Sequence, residues 1–220
     1  MPVRKIKAGY LNTTGGFQSL KLGRFVNAES ALEFDLLFQL DLDPEVTWFD
    51  EQPLSVGYID ADTGRARSYT PDALARYKKN GGIEHQILYE VKHLADLRKD
   101  WKELKPKFKA AIHEAKIRGW KFKIVTEKHI RTPRLANLQF LFHFIRSISP
   151  LESERRSVIY NGLKELRAAT INELLAFLFH DITNRAEILP VLYRMIYSGA
   201  VVADLDYPLT INTSISLPSI

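Results

Sequence analysis

The chain has 220 residues, 45% of them hydrophobic, with a formal net charge of +5 and no cysteine. That is enough apolar material for one large domain or two small ones, and it excludes disulfides, thiolate zinc sites and thiol nucleophiles, in keeping with a reducing compartment. No run comes near the roughly eighteen apolar residues of a membrane-spanning helix, and Met1-Pro2-Val3-Arg4-Lys5 leads into no signal-peptide core, so a cytosolic protein away from membranes is expected.

The modest net charge conceals an asymmetry. Residues 29–62 hold ten Asp/Glu and no Lys/Arg, whereas residues 92–134 hold fourteen Lys/Arg against five Asp/Glu. A basic block of this kind points to a polyanion, whose phosphates supply most of the affinity. The plainer reading is a solvated helix face.

In chain order, residues 1–28 are basic and glycine-bearing, which predicts an arm with at most a short strand around Phe17–Leu22. Ser30 is a good N-cap, and Glu33 three residues on completes a capping box. Leu32, Leu36, Leu37 and Leu40 then form an apolar helical face that Asp43-Pro44 stops. Val46–Phe49, Leu54–Ile59, Arg65–Tyr77 and Gln86–Lys92 predict strands in a meander, with turns at Asp62-Thr63-Gly64 and Asn80-Gly81-Gly82. Leu94 to about Lys116 is helical, with a kink or break predicted at Pro106 and a C-cap at Gly119. Lys121–Thr126 alternates into a core strand, so the strand–helix–strand unit implies a parallel pair. A helix follows from about Pro133 to Ile148, and Ser149-Pro150 marks a boundary between domains 1–150 and 151–220. Beyond it, a short helix over Leu163–Ala168, one from Thr170 to near Asp181 and one over Asn184–Ser198 precede a hairpin of Val201–Asp204 and Leu209–Ile215. Three helices and a two-stranded wing describe a winged helix. That segment holds six Lys/Arg against eight Asp/Glu, which favours protein contact over DNA contact.

Chemistry concentrates in Tyr69-Thr70-Pro71-Asp72 and Tyr89-Glu90-Val91-Lys92. In a strand, residues two apart share a face, so Glu90 and Lys92 project together. If the strand beside them carries Asp72, two carboxylates and an ammonium converge. Paired carboxylates suit Mg²⁺, and Mn²⁺ is accepted by similar ligands. Next to a phosphodiester, such an ion polarises a phosphoryl oxygen while the lysine offsets developing charge. Glu33 has two readings, a helix cap or a third active-site carboxylate. The six histidines show no zinc spacing, and Gly81-Gly82 lacks a P-loop lysine.

Together these segments resemble the TnsA family, endonuclease subunits of heteromeric DNA transposases. The resemblance runs through Glu29-Ser30-Ala31-Leu32-Glu33, Leu42-Asp43-Pro44-Glu45-Val46, Glu51-Gln52-Pro53, and the Asp72 and Lys92 motifs. It implies a restriction-endonuclease-like fold, a mixed sheet flanked by helices, with an active site of Glu33, Asp72, Glu90 and Lys92. Glu33, Asp72 and Glu90 would serve the metal, Lys92 would support the attacking water, and Gln52, close in the pattern, ranks as structural first and as a group that helps position the others second. The implied function is a Mg²⁺-dependent double-stranded DNA endonuclease cutting the 5′ strands at transposon ends. Its partners would be a DDE-type recombinase, TnsB, and the AAA+ regulator TnsC, the latter contacting the C-terminal domain. The alternatives are a stand-alone restriction-like or repair nuclease of the same fold, and a DNA-binding assembly factor whose acidic cluster is only structural.

Overall fold

A computed structural model describes residues 15–60, 62–80, 83–145 and 151–218. The chain divides into two compact units, Met1–Arg131 and Thr132–Ile220. The boundary expected at Ser149-Pro150 lies outside the described residues, as do the arm residues 1–14 and the turn glycines 81–82.

The first unit is built on a four-stranded mixed sheet of β3 (Val46–Glu51), β6 (Ala73–Asn80), β7 (Ile83–Val91) and β8 (Lys121–Val125), in the order β3-β6-β7-β8. β3, β6 and β7 run antiparallel, and β8 runs parallel to β7, as the strand–helix–strand reading requires. Side-chain alternation divides the two faces. Ala73, Ala75, Tyr89, Val91 and Val125 pack under helix α1 (Ala31–Leu42), where the small alanines let the helix approach. Leu74 and Leu88 face the other way, onto Ala115 of helix α3 (Trp101–Ile117), with Trp120 and Phe122 alongside.

Several expectations are corrected. The N-terminal segment is more ordered than an arm: β1 (Gly15–Gln18) and β2 (Phe25–Ala28) form an antiparallel hairpin. A Cβ at Gly16 would collide with the Phe25 ring and the Val26 carbonyl, so only glycine lets these strands approach. The hairpin is tied to α1 polar group by polar group. Asp41 accepts from the Ser19 hydroxyl and from the N–H groups of Leu20 and Lys21, both at 3.0 Å. Lys21 Nζ donates to the carbonyls of Leu40 (2.8 Å) and Asp43 (2.6 Å), satisfying the open C-terminal end of α1.

Nor do the middle strands form a simple meander. β4 (Val56–Ile59) and β5 (Ala66–Tyr69) pair only with each other, as a side hairpin inserted between β3 and β6. The cause is local: Gln52 takes φ 48°, which turns the chain out of β3 just before Pro53. The expected break at Pro106 instead falls at Asp100, between α2 (Leu94–Lys99) and α3, and α3 runs through the proline. A proline there deletes one hydrogen bond, to the carbonyl of exposed Lys102, which water can satisfy. A one-turn helix, α4 (Glu127–Ile130), closes the unit.

In the second unit, helix α5 (Pro133–Ile145) buries Leu141 in a core with α6 (Glu152–Leu166), α7 (Ile171–Leu178) and α8 (Ile182–Tyr197). The expected short helix at 163–168 is therefore fifteen residues long and begins eleven residues earlier. Its buried face, Ile159, Gly162 and Leu163, is narrow, and the polar residues around it hide the period. A Cβ on Gly162 would come within 2.8 Å of Leu178, so the glycine sets how closely α6 and α7 pack. α7 opens on the predicted Thr170–Glu173 capping box. The terminal hairpin of β10 (Val202–Ala203) and β11 (Ser214–Ser216) gains a third strand, β9 (Ala168–Thr170), in the order β10-β11-β9. No helix of the described residues is long and apolar enough to cross a membrane.

Candidate active site

The site forms where β6 begins and β7 ends. The Asp72 N–H donates to the Tyr89 carbonyl at 3.0 Å, which extends the β6–β7 ladder by one residue and sets Asp72 beside Glu90. From the other side, Gln52 N–H donates to the Asp72 carbonyl, also at 3.0 Å. Lys92 lies one residue past β7 and is held in line by its N–H bond to Val125 of β8 at 3.1 Å. Asp72 therefore sits between two strand ends, with its backbone hydrogen-bonded on both sides.

The side chains follow from this frame. Lys92 Nζ lies 3.0 Å from Glu90 Oε1 and 4.0 Å from Asp72 Oδ2, and donates to the Val91 carbonyl at 2.9 Å. Asp72 Oδ2 accepts the Val91 N–H at 2.6 Å. Three of the four sequence-nominated residues are thus drawn together. The fourth, Glu33, is at the N-terminus of α1, and its two oxygens accept from Glu29 N–H (2.9 Å) and the Ser30 hydroxyl (3.0 Å). It caps its helix, with no hydrogen bond to the other three, yet its charge acts on all of them. Among the described residues, no three acidic or histidine side chains are gathered closely enough to cage a metal ion.

Electrostatically the site is overloaded with negative charge. Burial, then the neighbouring Glu90 charge, pushes the Asp72 carboxyl well above the usual carboxylate range, and the Lys92 ammonium only partly opposes this. Burial also raises Glu90 against the pull of Lys92, and raises Glu33 against its capping hydrogen bonds. Burial alone would lower Lys92, but the charges of Asp72, Glu90 and Glu33 outweigh it and hold the ammonium protonated. Glu90 Oε2 is buried without a hydrogen-bond partner.

Two residues that the sequence did not place in the site stand next to it. Gln52 is 5% exposed, has a left-handed backbone that non-glycine residues rarely adopt, and leaves its Oε1 buried and unpartnered. Tyr69 leaves its hydroxyl buried and unpartnered, and burial, Glu90 and Asp72 all keep it protonated. Both lie in motifs visible in the sequence, but nothing in a one-dimensional pattern shows a polar atom with no partner. His93, next to Lys92 in sequence, is an exposed residue at the start of α2, 3.5 Å from Glu127.

Compared with known proteins, residues 43–127 match the family model described as TnsA-like endonuclease N terminal. That segment contains Gln52, Tyr69, Asp72, Glu90 and Lys92, and Glu33 precedes it. No curated protein matches the chain.

Proposed function

We propose, from the match of residues 43–127 to the TnsA-like endonuclease N-terminal model, that the chain is the transposase subunit that hydrolyses the 5′ strands at transposon ends. The observation that carries this reading is the contact of Lys92 with Glu90 and Asp72 inside the matched segment. A nuclease related to transposition acts on DNA, and the basic block from Lys92 to Arg134 supplies a surface for phosphates. Lys102, Lys105, Lys109 and Lys116 recur along α3 at three-, four- and seven-residue spacing and are all exposed.

The donor set fits a hard divalent cation, Mg²⁺ or Mn²⁺. Its atoms are carboxylate oxygens, one of them, Glu90 Oε2, is a buried acceptor without a partner, and the carboxyls, raised chiefly by burial, would be stabilised in their charged form by a cation. Asp72 and Glu90 would hold it, and Glu33 would join by giving up part of its capping role. When bound, the ion would polarise a phosphoryl oxygen and acidify water. The chain's own contribution is orientation and charge. The two backbone bonds on Asp72 fix its position, and Lys92, kept protonated, presents an ammonium where charge grows on the phosphorane oxygens. In the hydrolysis, a water oxygen bonds to phosphorus and gives up a proton to solvent, the phosphorus–oxygen ester bond breaks, and the departing oxygen takes a proton from solvent to leave as a hydroxyl.

The fold this reading assigns is restriction-endonuclease-like, with a PD-(D/E)xK site of Asp72, Glu90 and Lys92. In the second unit, the order that follows α5, helix, strand, helix, helix, strand, strand, supports a winged-helix-like domain. The acidic balance of residues 151–220 suits contact with the regulator TnsC, while TnsB makes the 3′ cuts.

The test is cleavage of DNA bearing both element ends, with recombinase, ATPase and Mg²⁺, comparing the protein with Asp72→Ala and Lys92→Ala. Loss of the 5′ cuts with the 3′ cuts retained is expected. If both variants still cut the 5′ strands, the chemistry lies elsewhere.

A further inference from the structure

Few buried side-chain nitrogen or oxygen atoms among the described residues lack a hydrogen-bond partner, and three of them, Gln52 Oε1, Tyr69 Oη and Glu90 Oε2, belong to segments that meet at Asp72. Two of the three can only accept. The Tyr69 phenol is the one that can donate. Its ring is held edge-to-face against Tyr58, with centroids 6.1 Å apart at 81°, and Lys107 Nζ lies 5.9 Å from the Tyr58 ring centroid. The hydroxyl is thus anchored by packing, three residues before Asp72, without a polar contact of its own.

Glu90 is 4% exposed, with Lys92 Nζ 3.0 Å from its Oε1 and Oε2 left without a partner. If Lys92 turns toward a phosphate, or a cation displaces it, Glu90 loses that donor while still buried, a costly state. We propose that Tyr69 is a positioning residue for Glu90: its phenol donates to the Glu90 carboxylate once Lys92 leaves it, and so keeps the carboxylate oriented for the cation. The phenol suits the role because it is buried and is the one unpartnered group of the three that can donate. The inference rests on the metal-site reading above.

Tyr69→Phe tests it, because the ring and its Tyr58 contact remain and only the unpartnered hydroxyl is removed. Mn²⁺ binding to the DNA-free protein is measured by calorimetry, and thermal unfolding is measured without metal. Mn²⁺ affinity is expected to fall about tenfold, the scale for loss of a group supporting a metal ligand. Metal-free Tm should be unchanged or slightly raised, since no protein hydrogen bond is removed. In a Glu90→Gln background the same substitution should cost nothing further. Unchanged Mn²⁺ affinity in Tyr69→Phe, a lowered metal-free Tm, or a full loss persisting beside Glu90→Gln each overturns the proposal alone. A native protein that takes up no Mn²⁺ overturns the metal reading together with it.

Discussion

Asp72→Asn separates the catalytic role proposed for the site from what the site costs the fold. Asp72 has a 15% exposed side chain and sits beside Glu90, with Glu33 also bearing on it. Its favourable contacts are the Val91 N–H at 2.6 Å, which an asparagine oxygen also accepts, and Lys92 at 4.0 Å. An ion pair at that separation is worth about 4 kcal/mol at an effective dielectric near 20, against a desolvation penalty of several kcal/mol and repulsion from two carboxylates. Because the folded-state pKa is raised well above the ordinary value, the opposing effects win. A raised pKa means that the group's stabilising contribution is full below the unfolded carboxylate range and is lost as pH rises through the folded value. Asparagine, neutral at every pH, escapes that loss. Asp72→Asn should therefore stabilise the metal-free protein at pH 7 by about 1–2 kcal/mol, or roughly 2–8 °C in Tm, while abolishing cleavage. The gain should shrink toward zero as pH falls through the same window. Urea unfolding at pH 7 and at mildly acidic pH measures both quantities. A variant no more stable at pH 7, or equally stabilised at both, refutes the reasoning.

Two further outcomes follow from other parts of the chain. If the α3 stripe lies on DNA, replacing Lys105, Lys109 and Lys116 with glutamine should lower duplex affinity whatever the sequence, and each phosphate left without its lysine should take about 0.9 off the slope of log K against log salt. Slopes measured by fluorescence anisotropy that stay unchanged would return those lysines to a solvated face. Arg24 forks onto Glu51, whose side chain is 2% exposed, at 2.8 and 2.6 Å. Burial alone would raise the Glu51 carboxyl, but the Arg24 hydrogen bond and charge bring it below its ordinary value. Stability from a lowered pKa is present above the unfolded value and lost as pH falls through the folded one. Arg24→Met should cost about 3 kcal/mol at pH 7, the low end for a broken buried pair because Arg24 is partly exposed, and less in acid. Chemical denaturation across pH reads this directly.

Much of the first unit was legible in one dimension because its signals are local. The Ser30–Glu33 cap, the α1 leucine period and the alternation of β7 each depend on residues a few positions apart. The convergence of Glu90 with Lys92 needed only strand geometry. The N-terminal hairpin was misread because its stability comes from Asp41, twenty or so residues away. The meander failed for a similar reason: β3 pairs with β6 across the inserted β4–β5 hairpin, and strand spacing does not reveal partner choice.

The two roles proposed for Glu33 show where the sequence stops. Sequence alone determined the residue types, their order, the basic stretch that suits phosphates, and a capping box at the start of α1. Tertiary structure decided that Asp72 is held between Gln52 and Tyr89, that Lys92 spans two carboxylates, and that Glu33 caps its helix while its charge still reaches them. It also left the Tyr69 hydroxyl and Glu90 Oε2 without partners. The physical reason is that periodicity and capping are encoded within a turn of the chain. Burial, desolvation and the sum of charges at one point depend on every segment that folding brings there.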